Sequence, residues 1–187
     1  MLVLISAGMA RAGTSILPSN TNILYMGRMD MSNTNLPMLG WPGNTIIASF
    51  TGTSISATFT NQKYGFVYAL IDGAAAAPSN SFPMVTVKKD FTLILGTNLA
   101  NTTHTIQIVK KSEGNDGAIG FKGFTLDTGA YLTNPPAQPS LRFEFYGDSG
   151  LSGNSVDSIA NTGNSANNDN YYSYCGFLSR MFNAQYY

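Results

Sequence analysis

Between residues 20 and 131 apolar and polar side chains alternate over short stretches with a period of two. Residues 54–60 are the clearest case: Ile55, Ala57 and Phe59 fall on one face, and Ser54, Ser56, Thr58 and Thr60 on the other. That pattern predicts a strand with one face buried. Residues 103–109 repeat it, with Ile106 and Ile108 opposed to Thr105, Gln107 and Val109. Further short apolar runs occupy 22–28, 45–50, 66–71, 85–88, 91–95 and 120–126. They are separated by turn signals such as Gly52 and the pair Asp72-Gly73. The alanines at 74–77, stopped by Pro78, read as a loop. Many short strands with a turn every ten or so residues predict a mainly β protein, an antiparallel jelly-roll sandwich over residues 1–131.

The pattern changes at 132–140, where three prolines in nine residues predict a stiff extended linker. Beyond it, 141–187 reads as a separate piece. Residues 141–146 form a strand rich in Phe, 147–153 a glycine-rich turn, and 161–170 a flexible polar loop. Asn168 or Asp169 is placed to cap a helix running to about Ala184, with Tyr174, Phe177, Leu178 and Met181 recurring as one apolar stripe. A strand, a turn and a helix make the first half of a βαβ unit, here without a second parallel strand to pair with.

Composition narrows the function classes. Lys+Arg and Asp+Glu both number 10, so nothing steers the chain toward nucleic acid or anionic lipid. Charged residues are 11% of the chain, against about 25% in ordinary soluble domains. The surface must be covered by neutral polar groups and tyrosine, which suits sugars and tolerates self-association. The single cysteine, Cys175, lies in the apolar helical pattern and reads as a buried thiol; it allows neither an intrachain disulfide nor a multi-cysteine metal site. The first twelve residues read either as the tail of a signal peptide, with Ala10 and Ala12 in small-x-small spacing, or as a mature strand. No run approaches the length of a membrane span.

Nine blocks, in order, carry a resemblance. They include Tyr25 to Asp30, Trp41-Pro42-Gly43, Phe50 to Ser54, Ile71-Asp72-Gly73, His104-Thr105-Ile106, Lys110 to Glu113, Gly123 to Gly129, Pro135-Pro136-Ala137, and Phe143 to Ser149. Together they resemble the second carbohydrate esterase family, in which a jelly roll precedes an SGNH-type hydrolase domain. The resemblance implies a secreted esterase that removes acetyl groups from polysaccharides such as xylan and glucomannan, with no cofactor and no metal. It implies Ser149 as nucleophile, Asp148 as a supporting residue of the same block, and the Ser149 backbone N–H as an oxyanion donor. A serine on a tight turn between strand and helix suits that role, because its amide and the helix N-terminus face developing negative charge. Two departures stand out. Gly150-Leu151-Ser152-Gly153 replaces the family's usual continuation, and the glycine, asparagine and histidine blocks that complete such a site are not in this sequence. A serine hydroxyl without an adjacent base is a poor nucleophile.

The remaining candidates read as structural. His104, the sole histidine, lies in an alternating strand and reads as a core or edge residue. Asn115 and Asp116 imitate a Gly-Asn-Asp block but sit upstream of the serine, as a loop turn. Asp30, Asp72, Asp90 and Asp127 lack the spacing of a calcium site. Arg28 and Asp30 near Trp41 fit either a sugar-facing patch or, preferably, a packed tryptophan with a surface ion pair. Three functions remain: an acetyl-esterase fragment inactive by itself, a glycan-binding sandwich, or a self-assembling extracellular protein forming homo-oligomers or filaments.

Overall fold

The structure, a computed structural model, describes residues 13–61, 63, 65–75, 81–84, 90–158 and 165–187. The expected strand at 85–88, the N-terminal segment 1–12 and part of the polar loop (161–164) lie outside the described residues. Among the described residues the strands are β1 (Thr14–Ile16), β2 (Ile23–Met26), β3 (Met38–Leu39), β4 (Thr45–Gly52), β5 (Ile55–Asn61), β6 (Gly65–Ile71), β7 (Ala74–Ala75), β8 (Ser81–Met84), β9 (Asp90–Gly96), β10 (Thr102–Lys110), β11 (Ile119–Leu126), β12 (Leu132–Thr133) and β13 (Leu141–Phe143). The helix α1 (Tyr174–Met181) and the strand β14 (Ala184–Tyr186) follow.

Two antiparallel sheets face each other. One has the order β1-β11-β5-β9 with β3 also on β11; the other runs β12-β4-β10-β6-β7, with β2 on β4 and β8 on β6. The alternation seen in the sequence is the reason they pack. Ile55, Ala57 and Phe59 of β5, Ile106 and Ile108 of β10, and Phe121 and Phe124 of β11 are all buried in one core, while Ser56, Thr58 and Thr60 stay half exposed. Truncating a buried phenylalanine such as Phe59 or Phe121 costs about 3–5 kcal/mol in such a core. The expected mainly β sandwich is what forms. Two small differences are a two-residue strand at Ala74–Ala75, where a loop was expected, and a sandwich that reaches into the proline-rich stretch through β12 on β4.

Strand β6 departs from alternation, and that matters for the site. All seven of its residues are buried. Val67, Ala69 and Ile71 face the core, while Tyr68 and Leu70 form a second cluster with Val109 and Tyr171 on the outer face of the sheet. Tyr68 stacks on Tyr171 with ring centroids 4.8 Å apart, and its hydroxyl lies 2.9 Å from that of Tyr172. The C-terminal part of the chain is thus packed against the sandwich.

That part corrects the sequence reading in four ways. The helix starts at Tyr174 with Ser173 as its cap, not at Asn168 or Asp169. It ends at Met181, because Asn183 adopts a left-handed backbone (φ 47°) that terminates helices. The residues after it, read as helix end, form β14, which pairs in parallel with β13: Leu141 opposite Ala184, Arg142 opposite Gln185, Phe143 opposite Tyr186. The second parallel strand is therefore present and the βαβ unit closes on itself. Finally, Asn168, Asp169 and Asn170, read as flexible loop, are buried.

His104 is structural, as expected. Its Nδ1 lies 2.6 Å from Asp72 Oδ2 and its Nε2 lies 2.8 Å from the Ala100 carbonyl, and the ring packs on Phe50. Asp72 also accepts from the Thr105 N–H at 2.8 Å. The hydrogen bonds to Asp72 and Ala100 raise the His104 pKa. Burial alone would raise the Asp72 pKa, but the bonds from His104 and Thr105 outweigh it and hold the carboxyl below its usual value. A raised histidine contributes stability that is complete below its unfolded pKa of about 6.5 and is lost as pH rises through its folded value. The lowered Asp72 contributes above about 3.9 and is lost as pH falls through its folded value. The stability difference between wild type and His104→Asn, read from urea midpoints, is therefore expected to be largest between about pH 4 and 6.5 and to shrink on either side.

Candidate functional site

The site is built where β10 ends. Adjacent residues of a strand point to opposite faces, so Lys110 follows Ile108 inward and Lys111 follows Val109 toward the C-terminal unit. Both lysines are buried. Lys110 Nζ donates to the carbonyls of Ser112 (2.8 Å) and Glu113 (2.7 Å), which bends the chain there. Burial pushes its pKa down to about 8 against the opposing carboxylates Asp116 and Glu113. Lys111 Nζ lies 2.6 Å from Asp157 and 3.6 Å from Asp169, and the Lys111 carbonyl accepts the Asn170 N–H. Burial pushes the Asp169 pKa up to about 6, with Lys111 opposing the shift.

Two residues further on, Glu113 reaches the turn that follows the Gly-Asp-Ser block. Its Oε1 accepts from Ser152 Oγ (2.8 Å) and Asn154 Nδ2 (3.1 Å), and Ser152 Oγ also faces the Ser149 carbonyl at 2.7 Å. Asn170 ties the other side: its Nδ2 donates to the Leu151 carbonyl (3.0 Å) and its Oδ1 accepts from the Tyr186 hydroxyl (2.8 Å). Gly43, at φ 81°, lets the sandwich turn 41–44 press against this pair; a Cβ there would stand 2.7 Å from Asn170 Oδ1.

Between the sandwich and the βαβ unit lies a cleft of about 490 Å³. Arg28, Trp41, Pro42 and Glu113 line it from one side, and residues from Glu144 to Ser149 together with Leu151, Cys175, Tyr186 and Tyr187 from the other. Ser149 is exposed on its turn, and Asp148 Oδ1 accepts the Gly150 N–H at 2.9 Å, which fixes the turn from within. No helix begins at Ser149; the helix expected further along the chain is α1. Residues 149–157 are successive turns, because Gly153 (φ 77°) and Ser155 (φ 58°) break any helical run. A helix N-terminus at the serine is therefore not part of this geometry.

Arg28 and Trp41 also differ from expectation. Arg28 pairs across the cleft with Glu144 (2.5 Å), while Asp30 instead accepts the Ser32 N–H. Trp41 is not packed away but 64% exposed, and Tyr146 is 79% exposed. A hydrogen bond to Glu144 holds the Tyr146 phenol above its usual pKa. Cys175 is buried, as read, and burial raises its pKa. Asp127 is a structural carboxylate: it accepts from the backbone and hydroxyls of Thr53 and Ser54, and these bonds lower its pKa. Asp90 pairs with Lys122. Among the described residues no cluster of His, Cys, Asp and Glu is arranged to hold a metal, and none of the helices described is long and apolar enough to cross a membrane.

Residues 25–136 match the family model for carbohydrate esterase 2 N-terminal. The chain belongs to that family. It is similar to the cellulase/esterase CelE of Acetivibrio thermocellus, at 30% identity over 88% of this chain and 20% of the longer protein. It superposes on a family two carbohydrate esterase from Clostridium thermocellum in complex with cellohexaose (TM-score 0.76, 29% identity, 88% of this chain, 49% of that one). A family two carbohydrate esterase from Cellvibrio japonicus, at 21% identity, shares the fold over 94% of this chain and 51% of that one (TM-score 0.81). The lineage is that of carbohydrate esterases, and the chain spans about half the length of these structural relatives and a fifth of the curated one.

Sequence reasoning passed over Glu113, Asn170 and the two lysines. Their signal was faint: the block from Lys110 to Glu113 was visible only as a family match, and charged residues are ordinarily assigned to solvent. The Lys111–Asp169 contact gives them a measurable role. An acid with a raised folded pKa holds its proton more tightly folded than unfolded, so its contribution weakens as pH climbs through about 6. Lys111→Met removes the cation that offsets this, and is expected to destabilise the chain by about 3 kcal/mol at pH 7.5. Urea unfolding at pH 5, where Asp169 carries its proton in both proteins, should show a smaller gap.

Proposed function

We propose that this chain is the sugar-recognising and nucleophile-bearing part of an extracellular polysaccharide O-acetyl esterase, without turnover by itself. The observation that carries the reading is the placing of the exposed Ser149 turn in one cleft with the exposed rings of Trp41 and Tyr146. Aromatic faces suit the apolar face of a sugar ring, and Arg28 and Glu144 offer hydrogen bonds to its hydroxyls. The relative solved with cellohexaose supports a β-linked glucan or a backbone of similar shape as the ligand.

In the chemistry proposed, Ser149 Oγ attacks the acetyl carbonyl carbon and the carbonyl electron pair moves onto oxygen. The Ser149 N–H stabilises that oxyanion, and Asp148 keeps the turn in shape. A base takes the serine proton and gives it to the sugar oxygen as the bond from the acetyl carbon to that oxygen breaks; a water, giving its proton to the same base, then attacks the acetyl-serine, and acetate leaves as Ser149 Oγ takes the proton back. No histidine lines the cleft, and His104 is committed to Asp72 and Ala100. We place the base in the part of the relatives' length that this chain does not span. That part would also lie against α1, whose Phe177, Met181 and the adjoining Phe182 are exposed.

The expected outcome for the purified 187-residue chain is binding of cello-, xylo- or manno-oligosaccharides by calorimetry, with aryl-acetate hydrolysis indistinguishable from that of Ser149→Ala. Turnover clearly above the Ser149→Ala control sinks the claim of a missing base. Absence of any oligosaccharide binding sinks the sugar reading.

A further inference from the structure

Beside the cleft, on the sandwich, lies a groove of about 380 Å³ formed by Arg28, Met29, Asp30, Met38, Gly40 and Trp41. Cleft and groove share Arg28 and Trp41, so the indole is the ridge between them. The ridge is built, not incidental. Asn44, only 1% exposed, accepts the Trp41 N–H with Oδ1 (2.9 Å) and donates from Nδ2 to the Arg28 carbonyl (3.1 Å). One buried amide therefore fixes the backbone of both shared residues. The indole lies beside Gly114, where an added Cβ would stand 3.7 Å from Trp41 Cε3. At Gly40 an added Cβ would meet nothing within 4 Å, so bare backbone leaves the groove open.

The walls mix polar and apolar surface about equally, where the cleft is mainly apolar. Met29 and Met38 are apolar and polarisable, Asp30 offers a carboxylate held ionised by its bonds to Ser32, and Arg28 supplies donors. Apolar surface beside donors and acceptors suits a sugar, whose ring faces are apolar and whose edges carry hydroxyls. We infer that this groove is a second sugar subsite, so that a polysaccharide passes over Trp41 with one unit beside Ser149 and a later unit between Met29, Asp30 and Met38. The inference rests on the reading of the cleft as a glycan site. It adds that recognition extends away from the serine along the sandwich, and that this extension selects chains over single sugars.

Calorimetric titration of the 187-residue chain with cello-, xylo- and manno-oligosaccharides from two to six units tests it. In the series that binds, affinity is expected to rise with length. Gly40→Leu, which fills the groove and leaves the indole in place, is expected to weaken the hexasaccharide about tenfold and to leave the disaccharide within about twofold. Trp41→Ala removes a wall of the cleft as well as of the groove, and is expected to weaken every length. An equal loss at all lengths with Gly40→Leu, or no loss with it, overturns the second subsite while the cleft reading stands; no loss with Trp41→Ala overturns the passage of the chain over Trp41. No binding of any oligosaccharide overturns both.

Discussion

At the end of β10 two consecutive lysines leave solvent in opposite directions. Burying an ammonium is unfavourable unless its donors are met, and here both sets are. Lys110 turns onto two carbonyls of its own chain, which fixes the bend at Ser112. Lys111 crosses to Asp157 and to the fully buried Asp169. From that point the rest of the site follows. Asn170 is held by the Lys111 carbonyl and holds Leu151; Glu113 is placed by the bend and holds Ser152 and Asn154. The Gly-Asp-Ser turn is therefore positioned less by its own strand than by charged groups that arrive from the sandwich. Its geometry and the pairing of buried charges are one property.

The cleft itself is a consequence of that joint. The strand β6 buries both faces because Tyr171 and Tyr172 cover its outer side, which brings the βαβ unit close enough for Arg28 to reach Glu144. Where the two parts do not touch, the gap is lined by rings whose other side is open to water. Trp41 stays exposed on a turn whose backbone Asn44 ties down outside the core.

The sandwich was legible because its period of two is written in residue types that have no other good explanation: Ile55, Ala57 and Phe59 against serine and threonine. The site was less so. Ser149 and Asp148 could be picked out by resemblance, but nothing local distinguishes Lys111 from a solvated lysine, since its burial depends on Asp169, 58 positions away. Asn168 to Asn170 looked like flexible chain because asparagine favours loops; here its amides instead satisfy turn backbone that the fold has buried. The strand β14 was hidden by an apolar stripe that runs on into Phe182, although Asn183 carried the stop signal. For Trp41 the preferred reading was a packed ring, and residue type alone says nothing of how a turn is anchored.

The helix α1 carries this one step further. Its small residues Cys175, Gly176 and Ser179 are buried, while Tyr174, Phe177, Leu178 and Met181 remain exposed. Gly176 has backbone so near, with the Tyr171 carbonyl oxygen 2.4 Å from a built Cβ, that no larger residue fits on the packed side. The stripe that marks a helix in the sequence is thus the exposed face, and the small residues are the packed one. A parallel pair of strands is ordinarily sheltered on both faces, and here α1 lies against β14. The groups that hold the Ser149 turn come from both parts, Glu113 from the sandwich and Asn170 from the segment before α1, so the shape of the turn is a property of the joint between them.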